Sequence, residues 1–227
     1  MFVFGGSAHA GNLAPAVDDP VVVVPVTPSQ SGSTPFDGFY VGGSIGYAFG
    51  GDDRVGIRGN APQFDIGTLS NDGGIADIHL GYRWLLANYM YGLELGLEGG
   101  SVGSDIVGAG YAASMELKNA VNLRFNMGAI LAEKTLVYGF AGVAKGKFDY
   151  AVSGTGAAGP VSIQQEPSDT GYVVGLGVER TLNDQWSIRA EYQYGNFGKV
   201  ELSDAAGNTT SATPDYQSIK IGVNFAF

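Results

Sequence analysis

The chain has 227 residues, including 37 glycines, 12 tyrosines and 12 phenylalanines, no cysteine, and a formal net charge of −10. Without cysteine neither a disulfide framework nor a thiolate metal site can form, and so strong an acidic excess argues against nucleic acid, whose phosphates require clustered Lys and Arg. No apolar run approaches the roughly 20 residues of a membrane-spanning helix.

From the N-terminus, residues 1–10 read as the remnant of a secretory signal. Phe2 to Phe4 stand for the end of an apolar stretch, and Ala8 and Ala10 supply the small-residue cleavage pattern. Cleavage there leaves Gly11 as the mature start. Residues 11–36, with Pro15, Pro20, Pro25, Pro28 and Pro35, read as an extended linker without a core of its own. Residues 37–227 remain as one all-β domain.

Eight segments of that domain alternate with period two, the signature of strands whose two faces differ. In the first, Phe39, Val41, Ile45, Tyr47 and Phe49 oppose Tyr40, Gly42, Ser44, Gly46 and Ala48. The second sets Ala76, Ile78, Leu80, Tyr82 and Trp84 against Asp77, His79, Gly81 and Arg83. In the third, Tyr91, Leu93, Leu95 and Leu97 oppose Gly92, Glu94, Gly96 and Glu98. The fourth sets Val121, Leu123, Phe125 and Met127 against Asn122, Arg124, Asn126 and Gly128. The fifth, Leu136 to Phe148, has its phase blurred by small residues, and Lys145 is assigned to its polar face by analogy with the neighbours. In the sixth, Tyr172, Val174, Leu176 and Val178 oppose Gly175, Gly177 and Glu179. The seventh sets Trp186, Ile188, Ala190, Tyr192 and Tyr194 against Ser187, Arg189, Glu191 and Gln193. In the eighth, Ile219, Ile221, Val223, Phe225 and Phe227 oppose Lys220, Gly222, Asn224 and Ala226, and a chain ending on such a strand is expected to tie Phe227 into the sheet.

The connections alternate as well. Short ones lie at 85–89, 130–135 and 181–185, and long ones of about twenty residues at 51–72, 99–119, 149–169 and 196–216. Even strand number with short turns at one end and long loops at the other is the layout of an outer-membrane barrel, whose backbone must close on itself to satisfy its polar groups in lipid. The long connections and the strand ends beside them hold twelve acids against five bases, so much of the negative charge sits at that end.

A soluble ligand-binding barrel would turn the apolar face inward, and a membrane barrel turns it outward. The other face decides between them. It carries Asp77, Glu94, Glu98, Glu179 and Glu191 against Arg83, Arg124, Lys145, Arg189 and Lys220, with His79 among them and glycines between. Balanced charge suits a narrow lumen, where opposed charges must pair to offset desolvation. Aromatics at both strand ends agree, since bilayer interfaces select them. Trp84, Tyr89, Tyr91, Tyr138, Trp186, Phe225 and Phe227 lie beside the short turns, and Phe49, Phe148, Tyr172, Tyr194 and Phe197 beside the long loops. The expected fold is an all-β, eight-stranded antiparallel up-and-down transmembrane β-barrel with short periplasmic turns and four long extracellular loops.

The Pro-rich leader into Phe36-Asp37-Gly38-Phe39-Tyr40-Val41-Gly42-Gly43, the Gly81-Tyr82-Arg83 strand end, Tyr192-Gln193-Tyr194 and the terminal Gly222-Val223-Asn224-Phe225-Ala226-Phe227 resemble the small outer-membrane β-barrel family of OmpA-type and opacity-type proteins. The resemblance covers roughly residues 36–227 and is nearest to the alphaproteobacterial porin-like surface antigens. It implies export by a cleaved signal peptide, a periplasmic position for the linker, and periplasmic chaperones on the way to the membrane. The barrel assembly machinery would read the terminal strand through Val223, Phe225 and Phe227. Lipid and lipopolysaccharide are its expected surroundings, and a host or cell-surface partner would meet the loops. OmpA-type chains often continue into a peptidoglycan-binding domain, which is not expected here.

No catalytic, cofactor or metal site is expected. His79 with Asp77 and Arg83 imitates part of a hydrolase constellation, but the Ser candidates Ser44 and Ser187 have no motif tying them to it. Glu94 and Glu98, four residues apart in a strand, lie roughly 13 Å apart, too far for a glycosidase pair. Gly51-Asp52-Asp53 and Asn71-Asp72-Gly73 are read as turn chemistry, and Asn208-Thr209-Thr210 as a chance glycosylation sequon. No connection is conspicuously apolar, which argues against a hydrophobic-ligand site. Two functions stay open: a structural and surface-interaction barrel with its lumen closed by ion pairs, or a narrow porin-like diffusion channel.

Overall fold

The computed structural model describes residues 36–58, 64–132, 134–156, 159–204 and 207–227. The signal remnant expected at 1–10, and all of the linker at 11–36 except Phe36, lie outside these residues.

Fourteen strands follow in chain order: β1 Gly38–Phe49, β2 Asp52–Arg58, β3 Phe64–Ser70, β4 Gly73–Leu86, β5 Tyr89–Gly100, β6 Gly103–Gly108, β7 Tyr111–Leu131, β8 Thr135–Gly154, β9 Val161–Gln165, β10 Ser168–Thr181, β11 Trp186–Asn196, β12 Val200–Ser203, β13 Thr209–Ala212 and β14 Asp215–Ala226. Eight of them close an antiparallel barrel in the order β1-β4-β5-β7-β8-β10-β11-β14 and back to β1. Closure is made by the first and last strands, with Ser44 opposite Gly222 and Tyr47 opposite Ile219. No edge is then left within the wall, as lipid requires.

Alternation sorts the side chains as period two dictates. Ile78, Leu80, Leu93, Leu95, Leu123, Phe125, Leu176, Ile219 and Ile221 stand exposed on the outer wall, while the intervening polar and charged residues are buried within. The short turns are tight. At one, Leu86 pairs with Tyr89 and Ala87 adopts φ 54°, in the left-handed region that such two-residue turns use. At another, the Asn183 side chain accepts from the backbone N–H groups of Gln185 and Trp186 at 3.0 and 2.8 Å.

The long connections are not loops in the ordinary sense. Strands β7 and β8 run to 21 and 20 residues, well past the expected ends near Asn119 and Phe148. A bulge between Leu117 and Asn119 leaves Lys118 as the extra residue, and the alternation resumes beyond it. Strands β6 and β9 pair onto the two extensions, and β12-β13-β2-β3 form a second, four-stranded sheet. The two sheets meet at two seams. At one, the Ser70 backbone N–H donates to the Ser104 hydroxyl at 3.1 Å; at the other, Gln165 Nε2 donates to the Ser203 carbonyl at 3.2 Å. The result is an upper tier of strands above the membrane wall. Although no connection is conspicuously apolar in sequence, the tier has an apolar cluster of its own, built on Tyr111, Met115, Tyr150, Val152, Ile163 and Leu202.

Candidate functional site

Three layers fill the lumen. Beside the short turns, Phe36, Met90, Leu136, Tyr138 and Phe140 form an apolar cluster. Beside the tier, Ile75, Leu117, Ala144, Phe148, Phe197 and Tyr216 belong to another. Between them lies a charged layer, held by residues on six of the eight wall strands.

Arg83 makes a two-pronged bond to Glu179, with nitrogen–oxygen distances of 2.8 and 2.7 Å. The guanidinium also lies 3.8 Å over the Tyr40 ring, and Ser187 donates to Glu179 at 2.5 Å. Glu94 receives Arg124 at 2.5 Å, Arg189 at 3.0 Å and the Tyr40 hydroxyl at 2.5 Å. Arg124 and Arg189 also meet Glu191, at 2.8 and 3.5 Å, and Tyr138 donates to the same carboxylate at 2.6 Å. Lys220 bridges Glu98 at 2.8 Å and Asp77 at 3.3 Å, and Tyr216 donates to Glu98. His79 Nδ1 lies 2.8 Å from Asp77 Oδ1 and 3.1 Å from Arg189 Nη2, with Nε2 2.7 Å from Asn224 Oδ1. One ring nitrogen thus faces both an acceptor and a donor, and satisfies one at a time. Ten of the eleven residues expected in the lumenal network are therefore together and buried.

Lys145 is the exception. It is exposed on the outer wall, paired in register with Val121 and Thr170. Tyr138, expected in the aromatic girdle, is buried in the lumen at 4% exposure. Both corrections have one cause. The even residues of β8 from Leu136 to Phe148 point inward, one residue out of phase with the expected assignment, and a one-residue slip exchanges the faces of a whole strand. Phe148 is buried for the same reason, and Phe197 is buried with it. Among the described residues the lumen therefore holds five carboxylates against four permanent cations.

The remaining girdle residues lie on the outer wall. Trp84, Tyr89 and Trp186 are exposed, Tyr91 and Phe225 are half-buried beside them, and Tyr194 lies half-buried at the opposite end. Phe225 contacts Trp186 at 5.0 Å and Phe227 at 5.3 Å between ring centroids. The Phe227 N–H donates to the Phe39 carbonyl at 3.1 Å, so the terminal residue is tied to the first wall strand. Val223 also faces outward.

Several partners in the network were not assigned to it from the sequence: Tyr40, Tyr138, Ser187, Gln193, Tyr216 and Asn224. Their signal was present, since most fall on the alternating polar faces. The lumenal glycines have a role that composition did not suggest. Tyr40 is paired directly with Gly81, Tyr138 with Gly177 and Phe140 with Gly175, and a Cβ on these glycines would lie 2.5, 2.4 and 2.3 Å from the respective ring or hydroxyl atoms. Each aromatic lies across the glycine of the next strand, so the absent side chain is the space the ring occupies.

Of the loop residues read as turn chemistry, Asn71 donates to the Asp215 carbonyl at 3.3 Å and Asp72 accepts from the Tyr47 hydroxyl at 2.7 Å. On the tier, Lys118 bridges Glu116 at 3.1 Å and Asp149 at 2.9 Å. These bonds, to Asp149 first and then Glu116, raise the Lys118 pKa above its usual value. Beside this triad opens a cleft of about 1030 Å³ lined by Asp72, Asp105 and Glu166 among others.

A closed wall of eight strands, apolar outside and charged inside, is the architecture of a bacterial outer-membrane protein. A family model described as outer membrane protein beta-barrel domain matches residues 20–227. The chain belongs to this family. This outer-membrane barrel is 26% identical over 225 residues to the 31 kDa outer-membrane immunogenic protein of Brucella melitensis, covering 90% of this chain and 91% of the relative. It is 28% identical over 211 residues to the 22 kDa outer membrane protein of Rhizobium leguminosarum bv. viciae, covering 89% and 82%. Both relatives are outer-membrane proteins by name, and the location of this chain is the outer membrane. In fold, it superposes on the outer membrane protein OprG of Pseudomonas aeruginosa with a TM-score of 0.56 at 13% identity, over 84% of this chain and 96% of that one.

Proposed function

We propose that this barrel is a structural and surface-interaction protein whose lumen is closed and whose function is carried by the extracellular tier. One observation carries the reading. The lumen is occupied across its section by the paired layer of Arg83, Arg124, Arg189 and Lys220 with their carboxylates, and an apolar cluster lies on either side of it. An eight-stranded interior is only wide enough to be filled by side chains, and these side chains interlock. The hydroxyls of Ser44 and Ser187 are taken by Arg189 and Glu179, which supports a non-catalytic role.

The Brucella relative is named an immunogenic protein, and by similarity we extend to this chain a surface position at which its tier meets host or neighbouring-cell molecules. The outward Val223, Phe225 and Phe227 supply the aromatic strand end that an assembly machinery and its chaperones would read. The test is conductance of the refolded full chain in a planar bilayer, with folding checked by heat-modifiable migration on a gel. Silence is expected from the wild type, and Glu94→Ala with Arg124→Ala should introduce conductance by removing the central pair. Reproducible single-channel steps from the wild type would overturn the closed lumen in favour of a narrow diffusion channel.

A further inference from the structure

The corrected phase of β8 puts Lys145 and Lys147 side by side on the outer wall, both exposed. Successive rungs across β7, β8 and β10 show where they stand. The rung of Leu123, Val143 and Tyr172 is apolar and aromatic; the next is Val121, Lys145 and Thr170; the next is Asn119, Lys147 and Ser168. The lipid-facing surface thus gives way to a polar one within two rungs, each about 7 Å above the last. Above them the bulged Lys118 is already occupied by Glu116 and Asp149. No ion pair or side-chain hydrogen bond engages Lys145 or Lys147 among the described residues.

Two unneutralised ammonium groups facing outward at the upper limit of the apolar band, over a Tyr, are unusual in a chain of net charge −10. The position is where a long cationic side chain keeps its stem on the hydrocarbon and lifts its head to the interface. The outer leaflet at this level carries the phosphates of lipid A. An acidic tier would be repelled by that leaflet unless cations stood between them. With about 7 Å between same-face positions, both lysines can reach one phosphate, and the neighbouring Asn119, Thr170 and Ser168 add hydrogen-bonding groups on the same face.

We propose that Lys145 and Lys147, with Asn119, Thr170 and Ser168 beside them, form a binding site for the phosphate of a lipid A headgroup in the outer leaflet. The site lies on the outside of the wall and is independent of whether the lumen conducts. Each lysine near an anionic lipid surface contributes about fivefold in affinity, or roughly 25-fold for the pair.

The test is native mass spectrometry of the refolded full chain in detergent, with EDTA present to remove divalent bridges, titrated with diphosphorylated lipid A, dephosphorylated lipid A or inorganic phosphate. Wild type should retain diphosphorylated lipid A over the dephosphorylated form. Lys145→Gln with Lys147→Gln should lose that preference by about 25-fold, whereas Lys134→Gln with Arg180→Gln, an equal charge loss at the short-turn end, should keep it. Lys145→Arg with Lys147→Arg preserves the charges and should also keep it, which provides a second reading if the glutamine pair folds poorly. Equal retention of both lipids by wild type, or an unchanged preference in the glutamine pair, would overturn the site. Inorganic phosphate binding as tightly as the lipid would overturn the lipid as its occupant.

Discussion

Replacing Arg83 by Met isolates a two-pronged, fully buried contact of the lumen. Arg83 and Glu179 have side-chain exposures of 2% and 0% and meet through two bonds of 2.8 and 2.7 Å. The carboxylate keeps Ser187 at 2.5 Å, one neutral donor in place of a guanidinium. Breaking a buried pair from one side costs about 3–5 kcal/mol, because the surviving charge is left uncompensated. Loss of the contact over the Tyr40 ring, 3.8 Å from the guanidinium carbon, adds about 1–2 kcal/mol at a desolvated site. Arg83→Met should therefore destabilise the barrel by about 4–7 kcal/mol. The double variant Arg83→Met, Glu179→Leu removes both charges together, and well-packed apolar replacements of buried pairs are often neutral. It should be at least 2 kcal/mol more stable than Arg83→Met alone. Equilibrium urea unfolding in lipid–detergent micelles, followed through Trp84 and Trp186, reads all four corners of the cycle. If the double variant loses the sum of the two single losses, the two groups are not coupled and the paired-lumen account is refuted.

Two further outcomes follow from neighbouring geometry. Tyr138→Phe removes a 2.6 Å bond to Glu191 and should cost about 1.5–3 kcal/mol, the range for hydrogen bonds to charged groups, whereas Tyr91→Phe on the outer wall should stay within about 0.5 kcal/mol; equal losses in the same urea assay would contradict the lumenal position of Tyr138. Gly177→Ala would bring a Cβ to 2.4 Å from the Tyr138 ring and should cost about 1–3 kcal/mol by overpacking, and the same substitution should cost much less when made in a Tyr138→Leu background; an equal cost in that background would show that the ring is not what the methyl group meets.

Much of the wall was legible in the sequence because a strand writes its two faces with period two. In β14, Ile219, Ile221 and Val223 alternate with Lys220, Gly222 and Asn224, and large apolar against small or charged leaves one phase open. Nine of the ten acids and bases expected on the inner face were legible for the same reason, and so was the barrel itself. Strand β8 was not. Its middle reads Gly139, Ala141, Val143 and Lys145 on one face and Phe140, Gly142, Ala144 and Gly146 on the other, and small residues suit both sides. Only the register against β7 and β10 selects the phase that sends Tyr138 inward and Lys145 out.

The upper tier was hidden by a different fact. The bulge at Lys118 shifts the alternation by one, so a constant period read through it dissolves into apparent loop. Partner choice was beyond the chain altogether. Arg83 and Glu179 are separated by 96 residues, and nothing local tells a buried carboxylate which of four cations it will meet. The amino-acid sequence by itself determined the class of the protein and, on seven of the eight wall strands, which face meets lipid and which lines the lumen, because those depend on the pleat of each strand taken alone. Closure of β1 onto β14 and the shared register of the eight wall strands decided the pairs, the plugs at both ends and the outward lysines, because those are distances across the barrel and exist only once it has closed.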